Sequence, residues 1–298
     1  MRSFNGFTTS HLTVFILLYA LLFTGCAVKF VQTVPVSPQE EVYVSAAFRG
    51  MLENHRKCGC CLDAEADVTL AVQYWLADRS GTMSGFLQAM EPSHIKFVSV
   101  NPLGQPLFIF TTDGDAFQSA LVPKGKVYEG AVRSAAFEKY VPVWLEPENS
   151  FYWFTGRLKP AGFTIDSIAR DRDQQAYWLK LQFDGTRYQD MLLFDPQQLV
   201  ILRHVIMGRR NKPNLDVQYA DFQPLITDQT DAAGPGMKQA GDIRADAACR
   251  MPGSIRIVSH DNNGQMSLEL HSFLPDAAFT RENFMIDIPS GFVRVRVK

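Results

Sequence analysis

Val68-Thr69-Leu70-Ala71-Val72-Gln73-Tyr74-Trp75-Leu76 is an apolar run rich in β-branched and aromatic residues, and Asp78-Arg79-Ser80-Gly81 follows it closely. Residues of the first kind favour strands, and a short Asp/Ser/Gly segment is typical of a hairpin turn. Residues 82–90 then form the returning strand, which ends before Pro92. This stretch predicts an antiparallel hairpin and places the chain among mainly β proteins.

The same alternation of apolar runs and turn residues continues toward the C-terminus. It predicts further strands at residues 94–100, 107–111, 116–121, 164–169, 176–183, 190–194, 200–207, 215–222, 254–259 and 266–272, and a short one near 284–288. Short strands in succession, joined by tight turns, form an antiparallel meander. A single sheet of about ten strands is expected to curl into a barrel or a half-barrel.

Helices are expected at few places. Ser37-Pro38-Gln39-Glu40 predicts a helix start, with Ser37 as N-cap, Pro38 at the first position and Glu40 at the third. Apolar residues then recur every three or four positions as far as Arg56, which indicates an amphipathic helix. Two shorter helices are predicted at residues 131–140 and at the aromatic segment 149–156.

The N-terminus has the pattern of a secretory signal. Arg2 is followed by an almost unbroken apolar run at residues 14–23, and small Gly25 precedes Cys26. The segment resembles a bacterial lipoprotein signal, in which the cysteine is acylated and becomes the new N-terminus. The alternative is an ordinary signal peptide with a chance cysteine. We therefore expect a signal at residues 1–25, a tether linker at 26–38, and one domain at 39–298 with a flexible insertion at 226–246.

Composition and charge argue against nucleic acid as a partner and against a second membrane-spanning segment. The formal net charge is −2, with 46% hydrophobic and 20% charged residues, and no block rich in Lys or Arg occurs. The sequence therefore offers no electrostatic basis for nucleic-acid binding. No second apolar run approaches the roughly 20 residues that a membrane-spanning helix needs.

Cysteines other than Cys26 number four: Cys58, Cys60, Cys61 and Cys249. An even number in an oxidising compartment favours disulfides, but three of them lie so close together that the pairing stays open. A bridge from the cluster to Cys249 would close a loop of roughly 190 residues and stabilise the fold by several kcal/mol. Free thiols, or a metal or redox role, are the alternatives.

Patterns that carry catalysis are missing. The sequence contains no Gly-x-Ser-x-Gly elbow, His-Glu-x-x-His pair, phosphate loop or dinucleotide fingerprint. The histidines at positions 55, 94, 204, 260 and 271 are scattered, without the spacing of metal ligands. We expect no catalytic residues, no metal and no cofactor, and hence a protein that is not an enzyme.

Aromatic residues are abundant, with 22 Phe and 4 Trp. A curved sheet with this load can enclose an apolar cavity for a ligand. The candidate lining residues are Phe86, Phe97, Phe108, Phe110, Phe117, Trp153, Trp178 and Phe183. For any single one of them, the alternative is an ordinary core position.

Asn101-Pro102-Leu103-Gly104 is the most specific local signal. Pro and Gly favour a tight turn, which leaves Leu103 at the tip of a hairpin. On a protein tethered to a membrane, this side chain can enter the lipid and gain up to about 2 kcal/mol. Alternatively, Leu103 folds back onto a neighbouring helix.

Four segments carry a resemblance to one known family. They are residues 94–105 with Asn101-Pro102-Leu103-Gly104, then Val141-Pro142-Val143-Trp144 through Trp153-Phe154-Thr155-Gly156-Arg157, then Tyr219-Ala220-Asp221-Phe222, and Met251-Pro252-Gly253-Ser254-Ile255. The first resembles the third strand and protruding loop of the LolB-type lipoprotein-localisation receptors, and the second resembles their proline-containing segment and Trp-x-x-Gly helix. The last two resemble the later strand pattern of that family.

The resemblance implies an unclosed half-barrel of roughly eleven strands, with helices over an apolar cavity. It implies an outer-membrane lipoprotein that faces the periplasm of a Gram-negative bacterium. Such a protein takes lipoprotein acyl chains from a periplasmic LolA-like carrier and touches the membrane through Leu103. Ala27 after the cysteine supplies no aspartate-type signal for retention in the inner membrane.

The chain departs from that family in its length, its 226–246 insertion, its cysteine cluster and its continuation over residues 276–298. A relative on the same scaffold can bind another lipid. The second hypothesis is therefore a structural or assembly lipoprotein that binds an envelope protein partner.

Overall fold

A computed structural model describes residues 31–74, 77–134, 137, 146–209, 212–225, 249–261, 264–274 and 278–297. The predicted signal, the acylation site Cys26 and the insertion 226–246 lie outside these residues. Within the described part of the chain, no helix has both the length and the apolar character to cross a membrane.

One large sheet of fifteen strands dominates the described structure. In chain order the strands are β1 (Thr33–Pro35), β2 (Cys61–Tyr74), β3 (Ala77–Met90), β4 (His94–Val100), β5 (Pro106–Thr112), β6 (Ala116–Leu121), β7 (Lys126–Ala131), β8 (Phe163–Asp171), β9 (Tyr177–Phe183), β10 (Gln189–Asp195), β11 (Val200–Met207), β12 (Pro213–Pro224), β13 (Arg250–Ser259), β14 (Gly264–His271) and β15 (Val293–Arg296). Their order in the sheet is β1-β8-β9-β10-β11-β12-β13-β14-β2-β3-β4-β5-β6-β7-β15, so β1 and β15 are open edges. The predicted mainly β, unclosed antiparallel architecture is confirmed.

The first hairpin is longer than predicted. β2 and β3 pair as far as Tyr74 and Ala77, so Gly81 lies inside β3, opposite Leu70. The expected turn at 78–81 is therefore wrong. The ladder of backbone hydrogen bonds continues through this segment, and the hydroxyls of Thr69 and Thr82 form a cross-strand hydrogen bond of 2.9 Å.

Both edges of the sheet differ from the prediction. Residues 33–35, expected in the linker, form β1 and pair with β8. The strand expected near 284–288 is replaced by a short 3-10 helix, Arg281–Phe284. The last strand, β15, instead lies farther along and pairs in parallel with β7. Edge strands this short limit pairing with other chains.

Helix α1 (Pro38–His55) begins where the sequence predicts. The Glu40 backbone N–H donates to Ser37 Oγ at 3.3 Å, and the Ser37 N–H donates to Glu40 Oε2 at 2.9 Å. This capping box satisfies two N–H groups that the helix leaves without internal partners. The buried residues Val44, Phe48 and Met51 form the stripe that α1 turns toward the sheet.

The main core lies on the concave face of the sheet, under α1 and the second helix, α2 (Pro147–Phe154). Phe48 is fully buried, with ring-centroid distances of 5.3 Å to Phe194 and 6.1 Å to Phe163. On the opposite, outer face of the sheet, Trp178 belongs to a smaller cluster with Ala176, Leu193, Val205 and Met207, which we call the outer cluster.

The C-terminal segment 278–297 covers the outer face of β4 to β6. Lys96 Nζ donates to the Asn283 carbonyl at 2.8 Å, and the rings of His94 and Phe284 lie 5.3 Å apart. Thr111 Oγ1 also donates to the Phe284 carbonyl. This strap shields a part of the outer face that would otherwise be exposed.

One disulfide, Cys58–Cys249, joins the end of α1 to the residue before β13. It spans 191 positions of sequence, so in the loop-entropy model it stabilises the fold by about 5 kcal/mol. Cys60 and Cys61, which were also disulfide candidates, are free thiols.

We expect Phe48→Ala to lower the free energy of unfolding by about 3–5 kcal/mol, because it removes a fully buried ring between α1 and the sheet. Tyr43→Ala on the same helix is the matched control, since Tyr43 is exposed, and we expect a loss of about 0.5 kcal/mol or less. Urea unfolding followed by circular dichroism measures both. Equal losses of unfolding free energy in the two variants would contradict the conclusion that α1 covers the concave face through Phe48.

Candidate functional site

Most of the predicted aromatic lining residues share the concave face. Phe97 and Phe110 are paired neighbours on β4 and β5, and both are buried. The residues of the predicted set that belong to this core or pack against it are Phe97, Phe108, Phe110, Phe117, Trp153 and Phe183. They are close-packed with α1 and α2, so most of the concave face is filled by side chains of the protein itself.

Two predicted lining residues lie on the other face. Phe86 is 46% exposed, because its neighbours Gly85 and Leu87 take the inward positions of β3. Trp178 lies in the outer cluster, where its Nε1 donates to Asp171 Oδ2 at 2.7 Å and the Arg203 guanidinium lies 5.7 Å from its ring. Neither residue lines the concave face, so both assignments are wrong.

Open space on the concave side remains beside α2. The first space, cavity A, has a volume of about 410 Å³ and lies between the end of α1, α2 and residues 157–163. Its apolar lining includes Leu52, Phe151, Leu158 and Phe163. Cavity A thus offers an apolar floor next to the last turn of α1.

A second space, cavity B, has a volume of about 370 Å³ and lies between α2 and the strands from β9 to β12. Trp153, Phe183 and Ile206 supply its apolar lining. Tyr152 and Leu158 line both cavities, so the two spaces flank the same side chains. A third cleft of about 510 Å³ lies apart from them, under the C-terminal strap.

The side chain of Arg157 is a buried cation that lines both cavity A and cavity B. Gly156, with φ +64°, ends α2 in the left-handed conformation. The Arg157 N–H then donates to the Tyr152 carbonyl at 2.8 Å, which turns Arg157 back under the helix. Its Nη1 donates to the Gly59 carbonyl at 2.7 Å, and its guanidinium lies 5.8 Å from the Phe151 ring. Burial lowers the pKa of Arg157 to about 10, so the side chain remains charged at neutral pH.

Other polar groups at the cavities are mostly paired. Tyr152 Oη donates to Glu91 Oε1 at 2.8 Å, and burial together with this bond raises the pKa of Tyr152 well above its usual value. In cavity B, His204 Nε2 lies 2.7 Å from Asp190 Oδ2.

His55 is the exception at cavity A. Its Nδ1 is buried and has no hydrogen-bond partner among the described residues. Burial, and then repulsion by Arg157, lower the pKa of His55 from 6.5 to about 4. In the described part of the chain, no group of three or more His, Cys, Asp or Glu side chains is placed to hold a metal ion.

Leu103 stands out at the tip of the β4–β5 hairpin and is 82% exposed. Asn101 Oδ1 accepts the backbone N–H groups of Leu103 and Gln105, each at 2.9 Å. Gly104 adopts φ +77° and donates its N–H to the Asn101 carbonyl at 2.9 Å. The turn therefore holds the leucine outward, and Leu103 does not fold back onto a helix.

The sequence did not predict a role at a cavity for Arg157, His55 or Leu52. Arg157 belongs to the Trp153–Arg157 segment that carried the family resemblance, but the sequence assigned it no role. A charged residue directly after the glycine that ends an aromatic helix is the signal that could have drawn attention to it.

Several solved structures are similar to this chain. A LolA superfamily protein from Nitrosomonas europaea is 9% identical, with 80% of this chain and 97% of that chain covered and a TM-score of 0.47. A putative outer membrane lipoprotein-sorting protein domain from Vibrio parahaemolyticus is 12% identical, with coverage of 80% and 96% and a TM-score of 0.46. A DUF1329 family protein from Desulfovibrio piger is 8% identical, with coverage of 81% and 97% and a TM-score of 0.49.

No protein-family model and no curated protein sequence matches the chain. The described residues form one large unclosed sheet, almost entirely antiparallel, with few short helices.

We expect the fold to lose stability as the pH falls from 6.5 toward 4. In this window the unfolded chain protonates His55, whereas the folded chain, with its lowered pKa, does not. Stability is therefore fully present above pH 6.5, and acid removes about 2–3 kcal/mol through this group.

The measurement is the free energy of unfolding in urea at pH 7 and pH 4.5 for the wild type and His55→Gln. His55→Gln should reduce the difference between the two pH values, because it removes the group that the unfolded chain protonates in this window. The same pH dependence in His55→Gln as in the wild type would exclude His55 as its source.

Proposed function

We propose that this protein is a LolB-like, non-catalytic lipoprotein of the outer membrane, anchored through acylated Cys26 and facing the periplasm. It binds acyl chains of lipoproteins or other lipids and takes part in their transfer into the outer membrane. The observation that carries the proposal is the pair of cavities A and B, which flank Leu158 at the side of the concave face.

The lining of these cavities suits an acyl chain. Leu52, Phe151 and Phe163 offer apolar walls in cavity A, and Trp153 and Phe183 continue them in cavity B. Each methylene moved from water into such surroundings gains about 0.8 kcal/mol. An acyl chain bound there would therefore be held chiefly by burial against these apolar side chains.

The positively charged side chains that line cavity A suit the polar end of a lipid. Arg157 is buried beside the cavity, and Arg56 and Lys159 also line it. A headgroup with a carbonyl or an anionic group would meet donors there, while the chain occupies the apolar part. Glu91 lines the same cavity, so the site is not uniformly positive.

Membrane contact is supported by Leu103 and by the predicted lipid anchor. One acyl chain alone gives weak, reversible membrane binding, and stable attachment takes a second contribution. Leu103 adds up to about 2 kcal/mol if it enters the lipid. A periplasmic LolA-like carrier is the partner that this mechanism requires as the donor of acyl chains.

Filling cavity A should weaken lipid binding. We expect Leu52→Trp to reduce the affinity for a fluorescent fatty acid about tenfold or more, because the indole occupies the space beside Phe151 and Phe163. Val42→Trp is the matched control, since it adds the same side chain to an exposed position on the same helix, and its affinity should equal that of the wild type. Fluorescence titration measures both.

Two results would count against the lipid site. One is the absence of fatty-acid binding by the wild type, together with no acyl lipid in an extract of the purified protein. The other is equal binding by Leu52→Trp and the wild type. Either result would favour the alternative, a structural or assembly lipoprotein that binds an envelope protein partner.

Replacing the exposed leucine should affect the membrane step alone. We expect Leu103→Glu to abolish lipoprotein insertion in a reconstituted transfer assay and to weaken vesicle binding about tenfold to thirtyfold, with fatty-acid binding unchanged. Leu274→Glu, which alters another exposed leucine outside the loop, is the control. Transfer at the wild-type level by Leu103→Glu would remove this residue from the mechanism.

A further inference from the structure

Two adjacent thiols, Cys60 and Cys61, lie between the end of α1 and the start of β2. Both are free cysteines, and their sulfur atoms are hydrogen-bonded at 3.0 Å. Cys60 is exposed to solvent, whereas Cys61 is buried. One sulfur of the pair is thus accessible to a dissolved reagent, and the other is in direct contact with it.

The backbone beside this pair is held at two points. The Glu91 N–H donates to the Cys60 carbonyl at 2.9 Å, and Arg157 Nη1 donates to the preceding carbonyl, that of Gly59, at 2.7 Å. These bonds fix the backbone, and the two sulfur atoms already lie 3.0 Å apart, so the thiols are positioned for reaction with each other.

The neighbouring disulfide has a different character. The Cα atoms of Cys58 and Cys249 are 5.6 Å apart, within the range of about 4.4–6.8 Å that unstrained disulfides occupy. The Cα atoms of sequence neighbours across a trans peptide are only about 3.8 Å apart. A disulfide between Cys60 and Cys61 would therefore be strained, and strained disulfides are the ones that are readily reduced.

We propose that Cys60 and Cys61 form a reversible redox site, which small disulfide compounds oxidise to a vicinal disulfide and which thiols reduce again. The site is separate from lipid binding and does not depend on it. The Cys58–Cys249 disulfide remains intact in both states and serves as the structural bridge.

The reaction takes place in two exchange steps. The Cys60 thiolate attacks one sulfur of a disulfide R–S–S–R, which forms a mixed disulfide and releases one R–S⁻. Cys61 then loses its proton and attacks the Cys60 sulfur, which forms the Cys60–Cys61 bond and expels the second R–S⁻. Both thiolates take up protons, so the protein loses two hydrogen atoms and the disulfide compound becomes two thiols.

The difference in solvent exposure between Cys60 and Cys61 determines which thiol attacks first. Cys60 is the sulfur that an external disulfide can reach, so it is the attacking residue, and buried Cys61 is the resolving residue. Burial, and then the hydrogen bond with Cys60, raise the pKa of the Cys61 thiol to about 11. Because only the thiolate attacks, the second step should accelerate about tenfold for each pH unit between pH 7 and pH 9.

The test uses the full chain in detergent, equilibrated in buffers with graded ratios of reduced to oxidised glutathione. Samples are quenched with acid, alkylated and analysed by peptide mass spectrometry. We expect the peptide with Cys60 and Cys61 to lose two hydrogens as the buffer becomes oxidising and to regain them on reduction. The Cys58–Cys249 disulfide should persist at ratios that reduce the vicinal pair.

Single variants separate the two roles. Cys61→Ala should trap a glutathione adduct on Cys60, because the resolving thiol is missing. Cys60→Ala should form neither an adduct nor a new disulfide, because the remaining thiol is buried. The control is Ser84→Cys in a Cys60→Ala, Cys61→Ala background, which offers one exposed thiol on β3 and should form an adduct only.

Three outcomes would overturn the proposal. The first is that Cys60 and Cys61 of the wild type stay reduced in excess oxidised glutathione while the Ser84→Cys control reacts. The second is that oxidation pairs either residue with Cys58 or Cys249. The third is that Cys60→Ala and Cys61→Ala form adducts to the same extent. Fatty-acid binding by the same samples is scored separately, so failure of the redox site and failure of the lipid site are distinguishable.

Discussion

An open curved sheet cannot bury its own concave face, and this constraint organises the molecule. The face is covered by α1, which inserts Phe48 between Phe163 and Phe194. Both ends of α1 are fixed: the capping box at Ser37 and strand β1 precede it, and the disulfide from Cys58 follows it. The position of the helix in turn defines where space remains, because cavity A lies at its last turn and cavity B lies beyond α2.

Features set by neighbouring residues were predictable from the sequence. Val200–Met207 was predicted with its observed bounds, and the Ser37 capping box fixed the start of α1, because both depend on short-range patterns. The face to which a strand residue points was not predictable where both faces are apolar. On β9, buried Trp178 and buried Leu179 follow each other on opposite faces, so the apolar pattern alone could not assign Trp178 to the outer cluster. The edge strands were not predicted for a related reason. A three-residue strand such as β1 is defined only by its pairing with its partner, β8.

The candidate site was also predictable only in part, because its local turns follow from neighbouring residues and its cavities do not. The Leu103 turn was predictable, because all the groups that hold it lie between Asn101 and Gln105. Cavity A was not, because its walls come from segments that meet only in the folded chain: Arg157 hydrogen-bonds to Gly59 across 98 positions of sequence. Burial between the same segments lowers the pKa of His55, and repulsion by Arg157 lowers it further. No local pattern in the sequence records such a contact.

An acyl chain bound as proposed would compete with α1 for the same kind of surface, and the energies are comparable. Removing Val44, Phe48 and Met51 from the core would cost roughly 5–9 kcal/mol, at about 1.5–3 kcal/mol for each side chain. A chain of a dozen buried methylenes would gain about 10 kcal/mol. The two energies are comparable, but the capping box at Ser37 and the disulfide at Cys58 hold both ends of α1. An acyl chain bound as proposed would therefore occupy cavities A and B, where space is already open, while α1 stays over the concave face.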